Sequence, residues 1–230
     1  MTYSNPMKKI GLYLKFLKRI SIRSLYFNLK YLPFKQAIHL PILISRKVYL
    51  RRMSGKIKLD CPISSGLVRL GFGDIGIFDD KVSRTIWDVS GTVVFKGRTE
   101  IGHGSKIAVG SNGVLILGEN FSISAETSIV AYSRVQFGKD CLLSWDVLIM
   151  DTDLHSIRND KGEVVNPTKP IIIGDNVWIG SRSMILKGVQ IPNNCVIGAN
   201  SMVNKTLDIG NGVYAGNPVK LIKENITWEF

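Results

Sequence analysis

Aliphatic residues recur at every sixth position in the last quarter of the chain. From residue 173 onward the sequence divides into consecutive hexads: IGDNVW, IGSRSM, ILKGVQ, IPNNCV, IGANSM, VNKTLD, IGNGVY and AGNPVK. Their first positions are Ile173, Ile179, Ile185, Ile191, Ile197, Val203, Ile209 and Ala215. The fifth positions are also small or aliphatic. The pattern predicts two inward-facing residues in every six.

This period fits neither an α-helix, which repeats every 3.6 residues, nor a flat strand, which alternates every two. Glycine follows the first position of five hexads, and in a helix each would cost about 1 kcal/mol relative to alanine. The pattern favours a coil of short strands in which each hexad forms one side and turns a corner. Three hexads then complete a triangular turn, and turns stack at about 4.8 Å.

The repeat continues upstream with small shifts. Hexads begin at Phe95, Ile101, Ile107, Leu117, Ile123, Ile129, Phe137, Leu143 and Ile149, and the segment GLVRLGFGDIGIF before them predicts an irregular first turn. We therefore predict an all-β protein built on a parallel β-helix over residues 60–220. A basic N-terminal segment covers residues 1–59, and a short helix or tail covers residues 221–230. Cys141 and Cys195 occupy inward fifth positions and are predicted core residues.

The hexads stop after Met150 and resume at Ile171. Continuing them would place Asp153 in an inward position, where an unpaired carboxylate costs several kcal/mol. The Asn, Asp, Gly and Pro content of the following residues predicts a loop over 155–170. His155 then stands at the edge of this loop, two and four residues after Asp153 and Asp151. It is either a general base or a polar loop residue. His103 has a third, outward position and is a predicted surface residue.

Charge is concentrated at one end of the chain. The net charge is +12, and residues 1–59 hold 14 of the 30 Lys and Arg and no Asp or Glu. Residues 8–30 can form an amphipathic helix with one basic face. Such a helix suits an anionic membrane surface, or it packs on the protein with its basic face in solvent. The charge lies on no recognisable nucleic-acid-binding module, so we expect no nucleic-acid partner.

Three cysteines, without metal-binding spacing and odd in number, favour a reduced cytoplasmic chain. No run of about 20 apolar residues indicates a transmembrane helix. A metal site of the three-histidine kind is not expected, because the predicted coil contains only His103 and His155.

The sequence resembles the hexapeptide-repeat, left-handed β-helix acyltransferases. The resemblance is strongest to acetyltransferases of capsule and lipopolysaccharide biosynthesis, and it covers roughly residues 60–225. It is carried by IGDNVWIGS at 173–181, IPNNCVIGANSMV at 191–203, YAGNPVKLIK at 214–223 and DTDLH at 151–155. The fold is implied more firmly than the chemistry, because the same coil occurs in nucleotidyltransferase tails and in a class of carbonic anhydrases.

The resemblance implies a homotrimer that uses acetyl-CoA. His155 takes the role of general base for direct attack, with Asp151 or Asp153 holding its tautomer. Coenzyme A is expected along six residues: Trp178, Ser181, Gly198, Ala199, Asn204 and Lys205. Family members often have Thr at the position of Asn204, and Trp178 could equally cover the outer face or a subunit contact. Trp145 and Asp146 are predicted acceptor contacts, with a structural role as the alternative.

These inferences predict an O-acetyltransferase acting on a sugar hydroxyl in surface-polysaccharide synthesis. It would work in the cytoplasm, with the basic N-terminus against the inner face of the membrane. One alternative is N-acetyl transfer to an amino sugar or an antibiotic. Another is a β-helix scaffold without catalytic activity.

Overall fold

Three parallel sheets form the sides of one continuous coil. The computed structural model describes residues 21–79 and 81–229. Two helices, α1 (Ile22–Tyr31) and α2 (Phe34–Ala37), precede the strands. Sheet A contains β1 (Ile42–Ile44), β4 (Val68–Phe72), β7 (Thr99–Gly102), β10 (Phe121–Ala125), β13 (Leu142–Trp145), β16 (Trp178–Ile179), β19 (Val196–Ile197), β21 (Val213–Ala215) and β22 (Lys220–Lys223). Sheet B contains β2 (Tyr49–Met53), β5 (Ile86–Val89), β8 (Lys106–Val109), β11 (Ser128–Ala131), β14 (Leu148–Met150), β17 (Met184–Leu186) and β20 (Met202–Val203). Sheet C contains β3 (Lys56–Leu59), β6 (Thr92–Phe95), β9 (Val114–Leu117), β12 (Arg134–Phe137), β15 (Ile171–Ile173) and β18 (Gln190–Ile191).

Each strand pairs in parallel with the strand one turn further on, three elements later in the chain, until the last turn. The chain thus visits sheets A, B and C in rotation, as the hexads predict. The predicted left-handed β-helix is confirmed.

The first positions of the hexads form ladders in the interior. In sheet B, Ile129 stands opposite Ile107 on one side and Ile149 on the other, and Ile185 follows. All four side chains are fully buried. Cys141 and Cys195 are also buried, as predicted. The core is therefore a column of aliphatic side chains along the axis of the coil.

Asn and Asp residues make many of the corners. Asn120, Asp140, Asn176 and Asn194 have φ values between 53° and 58°, a left-handed conformation that these side chains tolerate better than most. Successive corners also approach closely. A Cβ on Gly180 would lie 2.7 Å from the backbone nitrogen of Ala199, which explains a glycine after the inward residue.

The regular repeat ends earlier than the hexads predict. Ile209 is 42% exposed, and Tyr214, rather than Ala215, stands opposite Ile197. Residues 204–212 contain no strand, and Leu207 fills the interior there. The Gly- and Asn-rich sequence IGNG forms part of a loop here. Ile209, its aliphatic residue, therefore does not point into the core.

The coil begins earlier than the predicted boundary at residue 60. Strands β1, β2 and β3 pair with β4, β5 and β6 and form a first turn over residues 42–59. In β3, Ile57 is buried while Lys56 is exposed. From the sequence alone, this strand falls in the predicted basic segment, because the lysines on its outer face dominate the composition.

Helix α1 covers the first edge of sheet A. The side chain of Asn28 donates to the carbonyl of Ile42 at 2.7 Å and accepts from its amide at 3.1 Å. Ser24 Oγ bonds the amide and carbonyl of Ile44 at 3.0 and 3.3 Å. Phe27 packs on Trp87, with ring centroids 5.5 Å apart. The predicted helix over residues 8–30 is thus present from residue 22, whereas residues 8–20 lie outside the described region.

The other end of the coil closes differently. Strand β22 runs antiparallel to β21, and the described residues after it form a tail without regular secondary structure, the second of the two predicted alternatives. Trp228 of this tail lies 6.0 Å from Trp178 between ring centroids.

None of the helices in the described residues is long and apolar enough to cross a membrane.

Candidate active site

The interruption after β14 is a loop that carries His155. It leaves the coil at Asp151 and returns at Ile171, the start of β15. Its outer part is a small hairpin closed by a bridge between Arg158 and Val164. His155 is exposed, and its imidazole makes no hydrogen bond with any residue that the structure describes.

Asp151 anchors the loop from inside. Its side chain is fully buried, and its two carboxylate oxygens accept from the backbone amides of Tyr132 and Ser133, both at 2.7 Å. Its carbonyl accepts from the amide of Lys169 at 3.1 Å, at the far end of the loop. Asp151 therefore ties both ends of the loop to the preceding turn, and its carboxylate has no bond to His155.

Asp153 is exposed to solvent, two residues before His155 in the chain. It accepts hydrogen bonds from Lys187 Nζ, and from Asn166 Nδ2 at 2.7 Å. The bond from Lys187, followed by that from Asn166, lowers the pKa of this carboxyl below its usual value. Asp153 is therefore ionised at neutral pH.

Asn166 links Asp153 to the backbone around His155. Its amide nitrogen also donates to the His155 carbonyl at 2.9 Å, and its oxygen accepts from the Ile157 amide at 2.5 Å. Lys187 Nζ donates to the Asn166 carbonyl at 3.0 Å. Asn166 and Lys187 were not predicted site residues. In the sequence, Asn166 is distinguished only as a polar residue before a proline, and Lys187 only as a lysine at the end of a strand. Neither feature predicts a site residue.

The predicted coenzyme A residues are divided between different parts of the coil. Ser181, Gly198 and Ala199 meet at the corner between sheets A and B, where the amide of Asn200 donates to the Ser181 carbonyl at 2.8 Å. Asn204 and Lys205 are exposed beyond β20, at the opposite edge of sheet B.

Trp178 lies on the outer face of sheet A. Its indole N–H donates to Ser144 Oγ at 3.1 Å, and its side chain is 37% exposed. Together with the neighbouring Trp228 ring, these contacts fit the alternative that Trp178 covers the outer face.

Trp145 and Asp146 lie at the same corner as Ser181, one turn earlier. The Trp145 carbonyl accepts from the Arg182 amide at 3.0 Å, and Asp146 lies 3.8 Å from the Arg182 guanidinium. The width of sheet B separates this corner from the loop of His155. Within one chain, the predicted acceptor contacts and the predicted base are not brought together.

The prediction that His103 is a surface residue is wrong. Its side chain is 2% exposed, because the segment between β4 and β5 folds over this corner. His103 Nδ1 lies 2.7 Å from Ser83 Oγ, which donates to Glu126. The Phe78 ring packs edge-on at 6.2 Å. His103 Nε2, like Thr85 Oγ1 and Ser105 Oγ, is buried without a hydrogen-bond partner among the described residues.

Glu126 completes this buried group. Burial alone would raise the pKa of its carboxyl, but hydrogen bonds from Lys106 and Ser83 and the charge of Lys106 outweigh that effect and lower it. Glu126 is thus held in its ionised form by the ion pair with Lys106.

The described residues contain no group of three or more His, Cys, Asp or Glu placed to hold a metal ion.

Comparison with known proteins finds similarity to one family model and to several acetyltransferases. Residues 170–205 match the family described as hexapeptide repeat of succinyl-transferase. A polysialic acid O-acetyltransferase of Neisseria meningitidis is 46% identical over 106 residues, which is 46% of this chain and 49% of that protein. The enzyme of the same name from Escherichia coli O1:K1 / APEC is 37% identical over 116 residues, or 50% of this chain and 38% of that protein.

The chain thus spans about half or less of the length of these two curated relatives. The crystal structure of the polySia-specific acetyltransferase NeuO superimposes with a TM-score of 0.50 at 23% identity, covering 81% of this chain and 90% of that one. This likeness shows a shared fold over most of the chain. The chain folds as a left-handed β-helix of hexapeptide repeats, and about half of it is similar in sequence to polysialic acid O-acetyltransferases.

Proposed function

We propose that the protein is an acetyl-CoA-dependent O-acetyltransferase that acetylates a sugar hydroxyl of a capsular polysaccharide. The observation that carries this proposal is the exposed His155, on a loop anchored at Asp151, in a chain similar to polysialic acid O-acetyltransferases. A repetitive coil has no structural need for this loop. The loop presents one imidazole outside the core.

His155 acts as the general base. An imidazole with a pKa near ~6.5 suits removal of a hydroxyl proton at neutral pH. The hydroxyl oxygen bonds to the acetyl carbonyl carbon as His155 takes its proton, and the proton then passes to the departing thiolate. Asp153 and Asn166 position the backbone of His155. Direct attack needs no acyl-enzyme, and among the cysteines Cys141 and Cys195 are buried in the core.

Acetyl-CoA supplies the thioester that is attacked. The corner of Ser181, Gly198 and Ala199 fits its pantetheine arm, because Ala199 is exposed there and the side chains are small enough for close approach. Lys205 is exposed and can pair with a phosphate.

A homotrimer would complete the site. Much of the outer face of sheet B is apolar and only half-buried in the single chain, beside the polar Asp88, Lys106 and Ser128. The apolar residues are Ala108, Val130, Leu148, Met150, Met184 and Leu186. Three such faces packed about a threefold axis would bury this surface in a closed ring. Each sheet A–B corner would then lie beside the His155 loop of the next subunit, which unites Trp145, Asp146 and Ser181 with the base.

The basic residues at 8–30 are proposed to contact the anionic inner face of the membrane, with the enzyme in the cytoplasm. Residues 8–20 lie outside the described region, and Arg23 and Lys30 are exposed on α1.

Thiol release from acetyl-CoA tests the function, with wild type, His155→Ala and His39→Ala measured against capsular saccharides and amines. His39 is exposed and lies before the coil, so it is a matched control. We expect a loss of about 10²- to 10⁴-fold in His155→Ala alone, with the trimer retained. Normal turnover by His155→Ala would exclude the mechanism. Acetylation of amines only would favour N-transfer, and a wild type that does not bind coenzyme A would favour the scaffold.

A further inference from the structure

A basic pocket lies at the beginning of the coil, away from the His155 loop. Its volume is about 550 Å³, and it forms where α1, the corner before β2 and the segment before β5 meet. Five of its lining side chains are basic and two are tyrosines: Arg23, Arg46, Lys47, Lys81, Arg84, Tyr26 and Tyr49. None of the described residues that line it is acidic.

Three of the basic side chains that line this pocket lack the acidic partners that arginines have elsewhere on the first turns. Outside the pocket, Arg52 pairs with Asp88 at 2.9 Å, and Arg98 pairs with Glu100 at 2.7 Å. In contrast, Arg46, Lys81 and Arg84 form no ion pair with any described residue. Like charges crowded in one pocket repel each other, and an anion that enters is attracted by all of them.

The walls of the pocket are held in place by their own contacts. Arg23 Nη1 donates to the carbonyls of Arg46 and Val48 at 2.8 and 3.0 Å, which fixes α1 against the corner. The Arg84 guanidinium lies 4.5 Å above the centre of the Tyr49 ring. Tyr26 is 55% exposed. An exposed aromatic ring between fixed cations offers an apolar surface to a sugar ring, while guanidinium groups bind its carboxylate.

The pocket is too far from His155 to hold the sugar that reacts there. Sheet B orders its strands β2, β5, β8, β11 and β14, so four strand spacings separate the pocket from the turn that carries the loop. At about 4.8 Å for each spacing, the separation is roughly 19 Å along the coil. The width of sheet B adds to it within one chain, because the pocket lies at the sheet A–B corner and the loop leaves the other side of sheet B. A ligand that occupies both places must be an extended chain of several sugars.

We propose that this pocket is an anchoring subsite for an acidic polysaccharide, so that the acceptor is an anionic polymer. Sugars remote from the reacting hydroxyl bind in the pocket through their carboxylates, while another sugar of the same chain lies at His155. This inference rests on the proposed function and adds the substrate class to it.

Direct binding tests the subsite without turnover. The Kd of fluorescently labelled long-chain polysialic acid and hyaluronate is measured in the His155→Ala background, beside short sialic acid oligomers, neutral dextran, inorganic phosphate and phosphatidylglycerol vesicles. The pocket variant is Arg46→Glu with Arg84→Glu. The control is Lys35→Glu with Lys56→Glu, which has the same charge change at exposed lysines outside the pocket. Arg46→Gln alone serves as a milder variant, and thermal melts verify that each variant folds.

We expect an acidic polymer to bind the parent protein, and the pocket variant to bind it at least about tenfold more weakly. The control should stay within about twofold. Equal loss in both double variants would show general charge attraction and overturn the subsite. So would absence of polymer binding, equal binding of short oligomers or phosphate, or preferential binding of vesicles. The binding measurement involves no turnover, because His155→Ala is inactive under the proposed mechanism. A failed binding test would therefore overturn the subsite and leave the acetyltransferase proposal to be decided by the thiol-release assay.

Discussion

Asp151 offers the sharpest test of how the His155 loop is held. Replacement by Asn changes one carboxylate oxygen to an NH₂ group and hardly alters the shape of the side chain. In the wild type, both oxygens accept amide hydrogen bonds, from Tyr132 and Ser133, at a fully buried position. In Asp151→Asn one of these amides faces another donor.

The expected cost follows from that single lost acceptor. An unsatisfied buried donor costs about 1–3 kcal/mol, and Asp151→Ala would leave two, or about 2–6 kcal/mol before any cavity. For a chain of this length, 1 kcal/mol changes Tm by about 2–4 °C. We therefore expect Asp151→Asn to melt about 2–12 °C below wild type.

Differential scanning calorimetry and the thiol-release assay measure the two consequences together. Asp146→Asn is the matched control for the melting temperature only, because that carboxylate is 38% exposed and lies 3.8 Å from its Arg182 partner, whereas its turnover bears on a proposed acceptor contact. It should change stability by less than about 1 kcal/mol. A Tm for Asp151→Asn within about 1 °C of wild type would refute the reasoning. A large loss of stability with unchanged turnover would show that the anchor does not position His155.

Three other outcomes follow from the core and from the partly buried ion pair of Lys106 and Glu126. Ile149→Ala removes one member of the sheet B ladder and should lower the free energy of unfolding by about 2–5 kcal/mol, measured by urea denaturation; an effect below about 1 kcal/mol would contradict the ladder. The lowered pKa of Glu126 stabilises the fold above its unfolded pKa of about 4.3, and this contribution disappears as the pH falls through the folded value. Glu126→Gln should therefore have a lower Tm than wild type at neutral pH but not in acid, and an equal difference at both would contradict the ion pair. Burial raises the pKa of the Cys141 thiol to about 12, so mass spectrometry should find it unmodified after iodoacetamide treatment of the native protein near pH ~8; rapid alkylation would show that this part of the coil opens.

The coil could be predicted from the sequence because its inward positions repeat and each has the same physical requirement. Ile173, Ile185 and Ile197 are interchangeable members of ladders, so the period alone gives the register. Likewise, the loop after Met150 could be predicted because a continued repeat would have placed Asp153 in an inward position. The first turn was hidden, since the strand KIKL alternates lysines on its outer face with buried residues. Basic composition dominated that segment.

The remaining differences depend on contacts between segments distant in the chain. His103 has an outward position in its hexad, and only the covering segment with Phe78 and Ser83 buries it. Asp151 was a predicted partner of His155 because the two are close in sequence. Its actual partners, at Tyr132 and Ser133, lie one turn earlier. Asn166 reaches His155 from the other side of the loop. No local pattern encodes these approaches.

The two ends of the coil determine whether molecules can join end to end. A stack of parallel strands finishes in a row of unpaired amides and carbonyls, and such an edge is a template for another chain. At the first strand, Asn28 and Ser24 occupy the amides and carbonyls of Ile42 and Ile44 with side-chain groups. At the last turn, the reversed direction of β22 interrupts the parallel register. Because a head-to-tail contact between such ends would not close into a ring, it would grow into a fibre. In sheet A, the side chains of Asn28 and Ser24 at one end and the reversed strand β22 at the other thus leave no free parallel edge on which a second molecule could stack.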